Sequence, residues 1–171
     1  WYKRQLHNAV VALDSIKLSA AASHRCFFAE IMGRKCGYLS LMSGRATGAE
    51  KDYLNEEGIT LKGLASDSER MVESFRSGRS LYLVIRNERA SVNYTTDVLA
   101  HIFAEEGKGL YDVREAILGH QQQGGSPTAF DRIMATKLVA HALELLACAL
   151  KHGEPTASHV RLLYTSPSPR D

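Results

Sequence analysis

The 171-residue sequence predicts an α/β domain, a parallel sheet layered with helices. Two observations carry that expectation. Apolar runs of strand length alternate along the chain with longer segments whose apolar residues recur at helical spacing, as in strands joined by helical crossovers. The clearest run, residues 81–85, is apolar throughout rather than alternately, as a strand covered on both faces must be. An apolar content of 44% can fill such a core, which argues against wholesale disorder.

The elements follow in order. Leu6, Val10, Leu13, Ile16 and Ala20 mark an amphipathic first helix that ends near Ser23. Residues 26–31 suit a buried parallel strand. Gly33 and Gly37 bracket a turn, and Tyr38, Leu39, Leu41 and Met42 begin a second helix that fades near Gly48. Leu61, Leu64, Met71 and Phe75 fit a third helix, and the 81–85 strand comes next. Thr95, Thr96 and Asp97 cap a fourth helix that turns Val98, Leu99, Ile102 and Phe103 inward. Residues 112–118 return as a strand. The last helix carries Phe130, Ile133, Met134, Leu138, Ala142, Leu145, Leu146 and Ala149 on one stripe, with Gly153 as its C-cap. These stripes read as packing surfaces.

Charge and cysteine content narrow the function classes. A formal net charge of +2 gives no case for nucleic acid or a membrane surface, although a local Arg and His cluster can still attract phosphate. Cys26, Cys36 and Cys148 show neither CxxC nor metal spacing, which fits free thiols in a reducing compartment and core packing for each. No continuous apolar run approaches membrane-span length and no signal-peptide pattern is present. A cytoplasmic location is expected, with no nucleic acid, membrane or metal partner for this segment. Trp1 opens inside a helical pattern, while residues 164–171 are aperiodic and hold two prolines. We therefore expect a partial domain over residues 1–163 and a non-native or disordered tail over 164–171.

The most informative stretch is Gly119-His120-Gln121-Gln122-Gln123-Gly124-Gly125-Ser126-Pro127-Thr128-Ala129-Phe130-Asp131-Arg132. It joins a strand end to a long helical pattern through amides, an imidazole and paired glycines. Ser126 and Thr128 are good N-caps, Pro127 suits a first helical position, and Asp131 completes a Thr-x-x-Asp box. A polar, glycine-freed backbone beside a helix N-terminus can hold an anion, or can simply be a connection.

The stretch resembles the HxQ(R/Q)GGxPxxFDR motif of ATP-dependent 6-phosphofructokinases. Met32-Gly33-Arg34-Lys35-Cys36-Gly37-Tyr38-Leu39 is similar to the MG(R/G)xCGYLA segment of that family. Ile85-Arg86-Asn87-Glu88 followed by Asn93-Tyr94-Thr95-Thr96-Asp97 resembles its RNE…NYTTD stretch, and Glu105-Glu106-Gly107-Lys108-Gly109 its EEGKG turn. Four motifs in the family's order, spanning residues 13–146, are a specific likeness. It implies a partial phosphofructokinase fold, a Rossmann-like parallel sheet layered with helices.

The resemblance also implies roles. Arg25, just before the first strand, and Arg114 would reach across a subunit boundary to a sugar phosphate, a task suited to a planar guanidinium that never deprotonates. Met32, Gly33 and Arg34 would contact the sugar and its phosphate, Glu88 its hydroxyls, and His120, Gln121, Gln122 and Gln123 the opposite end of the ligand. Read without the family, an Arg at a strand edge or a Glu in a loop is ordinary surface. His120, flanked by amides and lacking a carboxylate motif, reads as a ligand to phosphate or hydroxyl rather than a proton shuttle. His101, His141 and His152 read as structural or exposed.

Phosphoryl transfer needs a nucleotide-phosphate cradle, magnesium and a base at the accepting hydroxyl. The segment has no GGDGS-like, TIDND-like or Walker-type motif, so no catalytic residue is expected in it. ATP and Mg2+ would belong to the full-length enzyme, a homo-oligomer expected to be a tetramer of full-length chains. The terminal Gln123, the Arg86-Asn87-Glu88 run and the NYTTD and EEGKG segments point to the C-terminal half of a eukaryotic-type enzyme, which binds the activator fructose 2,6-bisphosphate. Arg34, with Ser23-His24-Arg25 ahead of it, resembles the catalytic half, which binds fructose 6-phosphate. A sugar-phosphate-binding protein without chemistry is the third reading.

Overall fold

The first strand takes a central place because both of its faces are apolar. In the computed structural model, which describes residues 2–20 and 24–152, Cys26 and Phe28 face one helical layer while Ala29 and Ile31 face the other. The chain runs α1 (Tyr2–Ala20), β1 (Arg25–Ile31), α2 (Tyr38–Thr47), β2 (Lys51–Tyr53), α3 (Leu61–Arg76), β3 (Leu81–Asn87), α4 (Thr96–Gly107), β4 (Asp112–Ile117), a 3-10 turn (Gly119–Gln123) and α5 (Ala129–His152). The strands pair in the order β2-β3-β1-β4, and every pairing is parallel. The α/β layering expected from the sequence is present.

Period-two alternation sorts the core into two layers. On one side Leu64, Met71 and Phe75 of α3 and Leu99 and Phe103 of α4 cover Cys26, Phe28, Tyr82 and Val84. On the other, Ala9 and Leu13 of α1 cover Ala29, Ile31, Leu83 and Ile85. Phe28 meets Phe103 edge-on at 5.1 Å between centroids, and Phe75 stacks on Tyr111 at 4.4 Å. Each such pair contributes about 0.5–1.5 kcal/mol beyond its buried area.

Local signals set the helix ends. The Thr95 hydroxyl accepts Val98 N–H at the start of α4, and Gly48, at φ 67°, closes α2 in the left-handed region. Three differences from the sequence reading have physical causes. β2 went unread because Lys51-Asp52-Tyr53 offers no apolar run; it is a short edge strand held by β3. β3 continues past Ile85 because Arg86 and Asn87, 2% and 0% exposed, have internal polar partners. β4 stops at Ile117 and is largely exposed, as the outer strand on its side. The expected first-helix end at Ser23, the Gly153 cap and the 164–171 tail lie outside the described residues. Cys26 is buried as expected, but Cys36 is only partly covered and Cys148 is exposed.

Residues 2–125 form one compact unit that holds the whole sheet; the described residues from Ser126 onward belong to a second. Within the second, Thr128 N–H donates to Asp131 Oδ2 at 2.9 Å and Asp131 N–H to Thr128 Oγ1 at 3.3 Å. The Thr-x-x-Asp box therefore starts α5 at Ala129. Pro127 consequently precedes the cap instead of opening the helix, and Ser126 does not serve as cap. None of the α5 residues is buried, so the expected stripe is uncovered: Phe130, Ile133 and Leu146 are 43%, 54% and 45% exposed. α5 is also long and apolar enough to cross a membrane, with a mean hydropathy of 1.7 over its best window. The sequence reading missed this because Lys137 and Glu144 interrupt the apolar run. One such helix is weak evidence of a span, since core helices of soluble proteins share this length and composition.

Candidate functional site

Parallel strands bring their carboxyl ends to one edge of a sheet, where open α/β sheets place ligands. Three segments leave that edge together: the Met32–Gly37 turn after β1, the Glu88 loop after β3 and the 3-10 turn after β4. Side chains tie them to one another.

Gln122 makes the tightest tie. It is 1% exposed. Its Oε1 accepts Met32 N–H at 2.9 Å, and its Nε2 donates to Met32 O at 3.3 Å and to Gln5 Oε1 at 3.3 Å. Expected at the ligand, Gln122 instead spends its amide on the backbone of Met32, because the 3-10 turn folds it inward. Gln123 Nε2 lies 3.8 Å from Met32 Sδ, while His120 and Gln121 are exposed on the same turn. Asn8 of α1 fixes the turn from below by donating to Gln122 O at 3.2 Å and to Gly124 O.

Glu88 makes the second tie. Its N–H donates to Ile31 O at 3.0 Å, and its Oε1 accepts Gly33 N–H at 3.1 Å. The other carboxylate oxygen can take a hydroxyl. Position 33 must be glycine, since a Cβ there would stand 2.6 Å from Cys36 O and 2.7 Å from Asn87 Nδ2. Arg34 is exposed in the same turn. The amino-terminal end of α2 is already occupied by a carboxylate. Both oxygens of Glu56 accept Gly37 N–H, at 2.8 and 3.1 Å.

A buried cation orders the Glu88 loop. Arg86 donates from Nε to Tyr94 O at 3.1 Å, from Nη2 to Ser91 O at 2.8 Å and from Nη1 to Glu30 Oε2 at 2.8 Å. Burial lowers the Arg86 pKa, and the Glu30 carboxylate opposes that shift by favouring the charged form. Thr96 Oγ1 also donates to Glu30 Oε2, which joins the start of α4 to the pair. Sequence reading took Arg86 as part of a family string. The pairing of Glu30 with Arg86 across β1 and β3 was the available signal. Asn8 and Glu56 gave none, because each lies in a region without a motif.

Arg25 and Arg114 stand apart from this cluster. Arg25 opens β1, and six residues of strand put it about 20 Å from Ile31. Arg114 pairs with Phe27 and lies 3.4 Å from Asp112 Oδ2, exposed on β4. Met32, Gly33, Glu88 and Gln123 therefore converge, His120 is exposed on the same turn as Gln123, Arg34 is exposed beside Gly33, and Arg25 and Arg114 stand apart. A shallow cavity of about 680 Å³ opens elsewhere, toward the amino ends of β2 and β3, where Arg79 is paired with Glu50. Among the described residues no group of His, Cys, Asp and Glu could hold a metal ion.

Comparison with known proteins identifies the family. The Phosphofructokinase family model matches residues 4–146. The ATP-dependent 6-phosphofructokinase of Dictyostelium discoideum is 50% identical over 149 residues, 86% of this chain and 18% of that protein. The muscle-type enzyme of Oryctolagus cuniculus is 44% identical over the same share of this chain and 19% of its own length. The chain thus spans less than a fifth of these relatives. Among solved structures, the T-state phosphofructokinase of Pichia pastoris matches with a TM-score of 0.74 and 37% identity, over 82% of this chain and 16% of that one. Phosphofructokinase from Saccharomyces cerevisiae matches with the same TM-score at 33% identity, over 82% of this chain and 19% of its own. With its motif loops gathered at one edge of this sheet, the chain belongs to the phosphofructokinase family.

Proposed function

We propose that this chain is the sugar-phosphate-binding part of the C-terminal, effector-binding half of a eukaryotic-type ATP-dependent 6-phosphofructokinase, and that it takes fructose 2,6-bisphosphate. The full-length enzyme would transfer the γ-phosphoryl group of ATP to the 1-hydroxyl of fructose 6-phosphate in glycolysis, in the cytoplasm. The observation that carries the reading is the convergence of Met32, Gly33, Glu88 and Gln123, with His120 on the same turn as Gln123, where β1, β3 and β4 end. It supplies a carboxylate for sugar hydroxyls, an imidazole and amides for phosphate, and Arg34 at the border for a second phosphate. Differential affinity for a bisphosphate is what shifts an oligomer between two arrangements.

The described residues do not fit ATP with Mg2+: they hold no carboxylate cluster for a metal, so no step of the transfer is derived from them. Arg25 and Arg114, remote from their own chain's cluster, would serve the site of a neighbouring full-length subunit. A second reading, favoured by Arg34 with Ser23-His24-Arg25 ahead of it, makes this a catalytic-half segment that binds fructose 6-phosphate as substrate.

Gln123 separates the two. A charge-assisted bond to phosphate is worth roughly 1.5–3 kcal/mol, against about 1 for a neutral amide. The bisphosphate can offset that difference through its second phosphate. The full-length protein carrying Gln123→Arg is expected to keep its turnover and lose selective activation by fructose 2,6-bisphosphate. Titration of each sugar phosphate at fixed ATP reads this out. Collapse of turnover with an unchanged effector response would place substrate, not effector, at this site.

A further inference from the structure

The Met32–Gly37 turn carries three of the proposed ligand residues, and side chains from three other segments hold it. Gln122 fixes Met32, Glu88 fixes Gly33, and Glu56, from the loop between β2 and α3, fixes Gly37. The first two lie in motifs already assigned to the site; Glu56 does not. We propose that Glu56 is a positioning residue for sugar-phosphate binding, setting the turn at its far end without touching the ligand. This rests on the sugar-phosphate reading of the site.

The turn is closed enough to pass a displacement along. Gly33 packs so tightly on Cys36 O that a Cβ would come within 2.6 Å of it, and Cys36 is bonded directly to Gly37. A shift of Gly37 thus moves the carbonyl on which Gly33 rests. Gly33 in turn has its N–H on Glu88, so the carboxylate that faces the sugar is tied to the same small ring of contacts. The contact is equally close from the other side. At Gly37 a Cβ would lie 2.6 Å from Glu56 Oε2 and 3.1 Å from Leu54 Cδ2, although its φ of −77° suits any residue. Alanine there would push Glu56 away for purely steric reasons. Glu56 itself is exposed, so its replacement leaves the core intact. A carboxylate at the start of α2 also suits the positive end of the helix.

The test is to measure dissociation constants of fructose 2,6-bisphosphate and fructose 6-phosphate by calorimetry on the full-length protein, with melting temperatures alongside. Glu56→Ala is expected to weaken the preferred ligand by about 3–10-fold with little change in melting temperature, since one anchored amide is lost. Glu56→Gln keeps an oxygen for Gly37 N–H and should restore most of the affinity. Gly37→Ala should weaken binding as Glu56→Ala does, and the double variant should be no worse than either. If wild type binds and Glu56→Ala binds equally well, the inference fails alone. Equal weakening by Glu56→Ala and Glu56→Gln, or tighter binding by both, would assign the effect to charge and also overturn it. A wild type that ignores both sugar phosphates overturns the site reading and this inference together.

Discussion

Several polar side chains in this unit are covered for structural reasons, and the half-buried Asp52 has its carboxyl pushed toward neutrality. Burial raises its pKa to about 6; Arg45 and Lys51 pull it back, while Glu57 pushes it further up. The carboxyl lies against Gly44 of α2, and its Oδ1 is buried without a hydrogen-bond partner. Because the folded pKa lies above the unfolded value, this residue stabilises the fold at low pH and loses that contribution as pH rises through about 6. The contribution is roughly 1 kcal/mol once discounted for a half-exposed carboxyl. Urea midpoints at pH 5 and pH 8 should therefore differ more in wild type than in Asp52→Asn; an identical pH response in both would refute the assignment. Nothing around Asp52 in the sequence announces this. Its environment is made by α2 and the 51–57 segment folding together, and a single sequence does not state which residues become neighbours. Gln122 teaches the same lesson from the site, since its motif was legible while the inward turn of its amide was not.

Elements were more legible than residues, because periodicity is a property of a segment and survives without knowledge of its neighbours. α1, α3, α4, β1 and the core of β3 follow directly from apolar spacing. β2 does not, because three residues with two charges carry no period. α5 is the instructive case: its Thr-x-x-Asp start and its helical period were read correctly, yet what the stripe meets is not decided by the helix. Leu99 on α4 is 0% exposed and Leu145 on α5 is 41% exposed. Leu99→Ala should cost about 2–5 kcal/mol, as removal of a fully packed leucine does. Leu145→Ala should cost less than about 0.5 kcal/mol in the 171-residue chain, as at other surface positions. Denaturant unfolding of both variants checks this, and a large loss at Leu145 in the full-length protein alone would show that the stripe is covered there.

At the scale of the molecule, the candidate site residues fall into two groups. One group lies in the loops at the carboxyl edge, whereas Arg25 and Arg114 stand in the amino-terminal halves of β1 and β4. Full-length protein carrying Arg25→Ala with Arg114→Ala, mixed with protein carrying His120→Ala, should form hybrid oligomers that regain sugar-phosphate response. In a hybrid, intact arginines of one subunit meet an intact His120 of another. Hybrids no better than their parents would show that the arginines act elsewhere. The motifs alone marked both groups of residues; only the strand register separates them.

The sheet order also bears on the history of the chain during synthesis. Among the described residues β1 pairs with β3 and β4, and β2 with β3, so none of these four strands finds a partner among the others until β3 has been made. Glu30 awaits Arg86, 56 residues later, an interval of roughly 3–11 s at a translation rate of 5–20 residues per second. Throughout that interval Phe27, Phe28 and Ile31 sit on a strand with both edges open, the kind of nascent surface that invites pairing with other chains. Formation of β3 closes one edge of β1 and one of β2 at once, and the other edge of β1 waits for β4, which makes residues 81–87 the step that first joins the sheet.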